Sequence, residues 1–375
     1  MLKKIYIDNY KSCVNFEIEF NSLNLLMGEN GTGKSAVFEV LRQIQMFLSG
    51  SSLVTECFPT ATLTRWQSSD VQSIELAVEG NGGLYRYELA IEHERYRNLA
   101  RVKHERLWFD DKPLFRFEIE ADISTVQMYR DDHSEGSKYS FDWARSALSS
   151  IPESNDNEKL SWFRRRLNNI IVVQIIPLLM QAESKSQMEL LAPDASNFAS
   201  WYRHVSRDQI LIGDLRQDLS EIFDNFRGFQ LKQAGDAEIL NSHFVKDNQS
   251  ATYRFDEFSE GQRVLVCLYT IIYFAKKIYH NKDYTVCIDE PDNFVALPEI
   301  QPWLLSLEDL CDDDQLQALL ISHHPELIDY LVPSRATIWF SREDDFSPTR
   351  IKPILEHDEL GISASELVAR GWIDG

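Results

Sequence analysis

The sequence predicts an α/β fold with a mixed, largely parallel core sheet, an antiparallel β-subdomain and a helical lobe. Three observations point there. The apolar run Leu23-Asn24-Leu25-Leu26-Met27 leads into a glycine-rich turn, Gly28 to Gly33, after which Val37, Phe38, Val40, Leu41, Ile44, Phe47 and Leu48 recur at helical spacing. Thr285-Val286-Cys287-Ile288 and Ala318-Leu319-Leu320-Ile321 are short, continuously apolar runs, as strands buried on both faces require. Between these ends, residues 73–120 alternate apolar and polar in several runs, the pattern of a half-buried antiparallel sheet.

Taken in order, residues 1–30 read as two strands and a turn feeding the strand before the glycine-rich loop. In the alternating region, Ile74-Glu75-Leu76-Ala77-Val78 and Tyr85-Arg86-Tyr87-Glu88-Leu89-Ala90-Ile91 are separated by Asn81-Gly82-Gly83, a hairpin signal, and Arg106-Leu107-Trp108-Phe109 continues the pattern. Residues 130–160 are rich in Ser, Asp, Glu and Gly and predict a mobile loop. From about 160 to 228 the expectation is mostly helical, as in Leu211, Ile212, Leu215, Leu219, Ile222 and Phe223. Residues 229–256 return to strands around an Asp247-Asn248 turn. Val264, Leu265, Cys267, Leu268, Ile271, Ile272, Phe274 and Ala275 predict a helix over 263–280. There is no internal repeat and no heptad run long enough for a coiled coil.

The chain has 375 residues, 43% hydrophobic and 26% charged, enough for a large core. Nothing approaches 18 consecutive apolar residues, so no membrane span is expected. Met1 to Asp8 alternates like a strand and lacks the apolar run of a signal peptide. Cys13, Cys57, Cys267, Cys287 and Cys311 are scattered and contain no C-x-x-C, which predicts reduced thiols in the cytoplasm. A net charge of −21 makes a poor general binder of phosphate backbones. Arg164-Arg165-Arg166, and Arg95, Arg97, Arg101, Lys103 and Arg106 interleaved with Glu92, Glu94 and Glu105, read as solvated faces; the sharper reading is a DNA-tracking surface.

The chemistry starts at Gly28-Glu29-Asn30-Gly31-Thr32-Gly33-Lys34-Ser35, which fits the P-loop pattern G-x-x-x-x-G-K-[ST] in its strand–turn–helix context. Backbone N–H groups of such a turn and the helix N-terminus point at phosphates. Lys34 would meet the β- and γ-phosphates and the Ser35 hydroxyl a Mg²⁺ ion. Asp289 and Glu290 end an apolar strand: the first carboxylate can hold Mg²⁺, and the second can act as general base on the attacking water. Phe258-Ser259-Glu260-Gly261-Gln262-Arg263 precedes a long apolar helix, whose start Ser259 can cap and whose dipole favours an anion. His323, in Ile321-Ser322-His323-His324-Pro325-Glu326, follows the next buried strand and can reach a γ-phosphate.

With these four motifs in this order, the chain resembles the ABC-class ATPases, in the RecF/SMC-like branch of stand-alone ATPases (the AAA_21 and OLD-like group). Gly28–Ser35 looks like Walker A, Phe258–Arg263 like the signature, Thr285–Pro291 like Walker B, and Ser322–Glu326 like the switch-histidine loop. Asp292-Asn293-Phe294 falls where the D-loop begins, and Leu191 to Phe198 resembles a segment that packs between the lobes. The signature has Ser-Glu-Gly, usual in this branch, where transporters have Leu-Ser-Gly. Val295-Ala296-Leu297-Pro298 lacks the histidine usual after Walker B. For the Q-loop glutamine, Gln174 after Ile170-Ile171-Val172-Val173 is the first choice, with Gln43 and Gln45 as alternatives.

The resemblance implies one ATPase head over residues 1–375. Residues 1–130 would carry the P-loop and the antiparallel β-region, 131–262 the helical insert lobe ending in the signature, and 263–375 Walker B, D-loop and switch histidine. It implies ATP and Mg²⁺ as cofactors and composite sites in a homodimer. One subunit supplies Lys34, Ser35, Asp289, Glu290 and His323, and the other lays Ser259 and Gly261 on the γ-phosphate. The expected role is a sensor or regulator in anti-phage defence, acting with a separate effector, toxin or nuclease. The alternative is a RecF/SMC-like repair or chromosome-maintenance ATPase that clamps DNA. A built-in OLD-type nuclease is disfavoured, because only 375 − 323 = 52 residues follow His323, and Asp312-Asp313-Asp314 and Asp344-Asp345 read as polar turns.

Overall fold

Period-two burial organises the first half of the chain. The computed structural model describes residues 1–120, 123–280, 282–331 and 336–352. Strands β1 (Leu2–Asp8) and β2 (Phe16–Glu19) precede β3 (Leu23–Gly28), and helix α1 (Lys34–Leu48) follows the glycine-rich turn, with the short α2 (Val54–Cys57) behind it. All six residues of β3 are buried, and so is every apolar residue of α1 from Val37 to Leu48 that recurs at helical spacing. Next come β4 (Val71–Gly80), β5 (Gly83–Glu94), β6 (Leu99–Phe109), β7 (Lys112–Glu120), β8 (Ile123–Tyr129) and β9 (Glu135–Ser140). Together with β1 and β2 they form an eight-stranded sheet in the order β2-β1-β4-β5-β6-β7-β8-β9. The β4–β5 turn is Asn81-Gly82 with φ of 50° and 83°, both left-handed, as a two-residue hairpin demands.

Helix α3 (Glu158–Asn168) and β10 (Ile170–Val173) lead into the second half. There β11 (Glu183–Ser184), α4 (Phe198–Val205), α5 (Gln209–Ile222), β12 (Phe226–Ala234), β13 (Ala237–Lys246) and β14 (Gln249–Arg254) precede the long helix α6 (Glu260–Ala275) and the short α7 (Lys277–His280). β13 pairs with β12 along one edge, while β11 and β14 share the other. Then come β15 (Thr285–Asp289), α8 (Leu297–Asp312), β16 (Gln317–Ile321) and α9 (Pro325–Leu331). β15 and β16 run parallel in direct register, Thr285 against Gln317 through Asp289 against Ile321. Finally β17 (Ala336–Ser341) lies parallel to β3, and β18 (Arg350–Lys352) turns back antiparallel on β17.

Among the described residues two units emerge: 1–170 with 336–352, and 171–331. This division differs from the expected segments 1–130, 131–262 and 263–375. Residues 131–170 stay with the first unit because Trp162 and Phe163 of α3 stack on Tyr85 of β5, at ring separations of 4.9 and 5.7 Å. Residues 353–375 of the third expected segment lie outside the described residues.

Two expectations need correction. Residues 130–160 are not one loop: Glu135–Ser140 adds a strand to β8, residues 148–150 form a 3-10 turn, and α3 begins at Glu158. Backbone pairing satisfies the peptide groups of β9 while its polar side chains stay in water, so composition hides the strand. Nor is 160–228 mostly helical. Between α3 and α4, residues 170–197 hold β10, β11, a 3-10 turn at Pro177–Leu179 and irregular chain, and Gln174 and Ile176 donate their N–H groups to the carbonyls of Pro193 and Asp194. All five cysteines are buried.

Candidate functional site

In the first unit, β3 delivers the chain to a loop with unusual backbone. Gly28, Gly31 and Gly33 have φ of 143°, 82° and 100°. Gly33 caps α1 from the left-handed region, and a Cβ there would stand 2.6 Å from Thr349 Oγ1 and 2.8 Å from Ser12 Oγ, so conformation and space both require glycine. Lys34 is 5% exposed, and its ammonium donates to the carbonyls of Gly28 (2.7 Å) and Glu29 (2.8 Å), curling the loop around the start of the helix. The Thr32 hydroxyl donates to the Glu29 carbonyl at 2.8 Å. Glu29, Asn30, Gly31 and Ser35 are exposed. A left-handed glycine loop on a helix N-terminus, with a lysine folded over it and a hydroxyl in the first helical turn, fits a polyphosphate with its Mg²⁺.

The second unit carries the other expected residues. Asp289 closes β15 half-buried, and Glu290 leaves the strand with φ of 53° while its N–H donates to the Ile321 carbonyl of β16 at 2.8 Å. That left-handed step turns the Glu290 carboxylate out of the sheet, where Asn293 Nδ2 donates to it. Asp292 accepts from the Ser322 hydroxyl at 3.1 Å, and Ser322 in turn accepts the His324 N–H at 3.0 Å. Burial pushes the Asp292 carboxyl above its ordinary range, and the Ser322 hydrogen bond opposes this. Thus Asp289, Glu290 and the loop bearing the exposed His323 are assembled by adjacent parallel strands.

Ser259 starts α6 as expected. Its Oγ accepts from Gln262 N (3.2 Å) and its N–H donates to Gln262 Oε1 (3.0 Å), a reciprocal cap that leaves the residue exposed. A Cβ on Gly261 would lie 2.7 Å from the Phe294 carbonyl, so the start of α6 and the turn after Glu290 pack backbone to backbone. Arg263 donates to the Pro177 carbonyl at 2.6 Å, holding the turn that follows Gln174 against α6. Gln174 is exposed just beyond β10, and its N–H is tied to Pro193 in the Leu191–Phe198 segment.

The alternatives Gln43 and Gln45 sit in the first unit. Gln45 spends its amide on the Asn168 and Ile170 carbonyls, at 3.0 and 2.8 Å, and Gln43 is 8% exposed. Sequence reasoning missed Ser12 and Thr349, which brace the phosphate loop from distant parts of the chain. No local signal marks them.

Most arginines of the basic clusters are paired with carboxylates. Arg95 pairs with Asp70, Arg97 with Glu94, Arg101 with Glu92, and Arg106 with Glu88 and Glu118. Arg164 and Arg165 both reach Glu153, and Arg166 is 3% exposed. Asp313-Asp314 and Asp344-Asp345 lie in turns, and the described residues hold no group of three or more His, Cys, Asp or Glu placed to bind a metal. No helix among the described residues is long and apolar enough to cross a membrane.

Residues 23–329, which include every motif above, match the model of the AAA_21 family, "AAA domain, putative AbiEii toxin, Type IV TA system". The chain belongs to the AAA_21 family. This AAA_21 chain also has the fold of an SMC-type ABC ATPase head. It is similar to an SMC head bound to the C-winged helix domain of ScpA, at 12% identity and a TM-score of 0.55, over 96% of this chain and 99% of that one. A second similar structure is an SMC head with an extended coiled coil bound to the C-terminal domain of ScpA, derived from Pyrococcus furiosus, at 12% identity and a TM-score of 0.50, over 94% and 96% of the two chains. Among curated protein sequences, none is matched by this AAA_21 chain.

Proposed function

We propose that this protein hydrolyses ATP in composite sites of a head-to-tail homodimer and uses the cycle to sense a trigger and control a separate effector in anti-phage defence. The observation that carries the proposal is Ser259. It is exposed at the start of a 16-residue helix, a terminus suited to an anion, while the chain's own phosphate loop has a different helix start in α1. The anion for α6 is therefore the γ-phosphate of a second copy's nucleotide.

In this reading the loop of residues 28–35 binds the triphosphate, and Lys34 meets the β- and γ-phosphates. Ser35 and Asp289 are the residues that would hold Mg²⁺, which when bound neutralises charge on the phosphate oxygens. Glu290, oriented by Asn293, takes the proton of the attacking water, and His323 hydrogen-bonds the γ-phosphate. Gln174 completes the set as the Q-loop residue.

The regulatory half draws support from the family description, which names a toxin of a type IV toxin–antitoxin system. The two similar SMC heads, each bound to a domain of ScpA, support a head that takes a protein partner. The DNA-clamp reading has less behind it, since the arginines that could track a phosphate backbone are paired with carboxylates and the net charge is −21.

One experiment separates the two. The Glu290→Gln protein, dimerised with ATP, is titrated with duplex DNA at several salt concentrations, and in parallel the wild-type protein is co-expressed with the products of its neighbouring reading frames under phage challenge. Protection that disappears in Lys34→Ala, without salt-dependent DNA binding, is expected. Tight DNA binding that falls steeply with salt, and no protection, would replace this reading by the clamp.

A further inference from the structure

The loop that carries His323 runs from Ser322 to His324, between the end of β16 at Ile321 and the start of α9 at Pro325. Both of its ends are fixed. Ile321 stands in register with Asp289 of β15, and the His324 carbonyl accepts the Ile328 N–H at 3.1 Å, opening α9. Within the loop one side chain folds inward: Ser322 is fully buried, whereas His323 and His324 are exposed.

Ser322 Oγ accepts the N–H of His324, two residues on, at 3.0 Å, so the hydroxyl closes a turn around the backbone of His323. An amide N–H only donates, which leaves the single hydroxyl proton for another acceptor. That acceptor is Asp292 Oδ2, 3.1 Å away. The relay has one direction, from the His324 N–H to Ser322 Oγ and from the Ser322 hydroxyl to the Asp292 carboxylate.

Asp292 lies two residues after Glu290, on the turn that leaves β15, and that turn is itself held. The Glu290 N–H donates to the Ile321 carbonyl at 2.8 Å, the Asn293 N–H to the Glu290 carbonyl at 3.2 Å, and the Val295 N–H to the Asp292 carbonyl at 3.3 Å. The buried hydroxyl therefore connects the backbone on either side of His323 to the turn that bears the general base.

We propose that Ser322 and Asp292 are positioning residues for ATP hydrolysis: their hydrogen bond holds the His323 backbone so that the imidazole meets the γ-phosphate in step with Glu290, a role that rests on the reading of His323 and Glu290 given above. They act through the histidine and not on the nucleotide. Misplacing a group by about 1 Å can cost on the order of 10²-fold in rate, which sets the scale of the effect.

The test measures kcat, KM, ATP affinity and a thermal melt on the full chain. Ser322→Ala removes one hydroxyl, and the N–H of the exposed His324 can turn to water, so the fold should stand. Its kcat should fall about 10–100-fold, with KM and ATP affinity unchanged. Asp292→Ala should match it. Asp292→Asn, whose side-chain carbonyl still accepts from Ser322, should recover most of the rate. In a His323→Ala background, adding Ser322→Ala should cost less than about twofold more, because no histidine remains to be misplaced, whereas a merely structural serine would slow both backgrounds alike. Wild-type kcat in Ser322→Ala, with His323→Ala slow, would overturn the relay alone. Equal losses in the two backgrounds would overturn action through His323, and an Asp292→Asn protein as slow as Asp292→Ala would overturn the hydrogen bond to Ser322. Wild-type turnover by His323→Ala would end the reading of that histidine and this role with it.

Discussion

Thr349 Oγ1 lies 2.8 Å from the carbonyl oxygen of Thr32, joining residues 317 positions apart at the middle of the phosphate loop. The same oxygen is 2.8 Å from the Ser12 hydroxyl, and Thr349 is wholly buried. Thr349→Val keeps the shape and removes the hydroxyl. It should destabilise the protein by about 1–3 kcal/mol, the cost of stranding buried polar groups, and weaken ATP binding as the loop loosens. Ser12→Ala should cost less, since Thr349 can still donate to Thr32. Denaturant melts and ATP titrations of both variants check this; a Thr349→Val protein with wild-type stability and affinity would show that the loop needs no such brace.

Removing the charge that Lys34 folds over the loop should end nucleotide chemistry. Lys34→Ala is expected to lose ATP binding or hydrolysis, measured by nucleotide titration and phosphate release. Full turnover in this variant would remove residues 28–35 from the site.

Glu290→Gln preserves the shape that Asn293 holds but not the base. It should bind ATP as the wild type does and hydrolyse it on the order of 10²–10⁴-fold more slowly. With ATP it should elute as a lasting dimer or larger assembly. Wild-type rates would mean that another group activates the water.

Ser259→Arg puts a long side chain on the exposed, capped start of α6. Losing the cap should cost about 1 kcal/mol, so a thermal melt accompanies the assay. Isolated protein should still bind ATP but neither dimerise nor hydrolyse it. Mixed with Lys34→Ala, it should recover part of the activity, because one site of the mixed dimer then has an intact loop and an intact signature. Loss of ATP binding by the Ser259→Arg monomer would place Ser259 in its own subunit's site and end the composite model.

Glu105 supplies a pH dependence. It is fully buried, and burial raises its carboxyl pKa to about 7, against the hydrogen bonds from Ser146, Tyr87, Leu148 and Ala147 that favour the anion. A raised folded-state pKa means that the native state holds the proton more tightly than the unfolded chain does. Stability is therefore greatest below the unfolded value near 4.5 and falls as pH rises to about 7. Glu105→Gln should flatten that slope. Its oxygen can accept the Ala147 and Leu148 N–H groups, while its amide donates to the Tyr87 and Ser146 hydroxyls, which can turn to accept. Urea melts from pH 4.5 to 7.5 read the slope; an unchanged slope in the variant would clear Glu105 of the effect.

Much was legible in the chain itself, where structure depends on neighbours. The helical recurrence from Val37 to Leu48, the apolar runs of β15 and β16, and the Asn81-Gly82 and Asp247-Asn248 turns all express backbone geometry within a few residues. The same holds for Gly28–Ser35, whose pattern is itself a local shape, and for the Ser259–Gln262 cap. Tertiary structure alone decided the rest. It made a strand of the polar Glu135–Ser140 by pairing it with β8, and it kept residues 170–197 out of a long helix, with Gln174 and Ile176 bonded to the Pro193 and Asp194 carbonyls. It also brought Thr349 to Thr32 and the Phe294 carbonyl to Gly261. Apart from the β8–β9 pairing, those contacts join residues well separated along the chain, and the energy that selects them exists only once both partners are brought together.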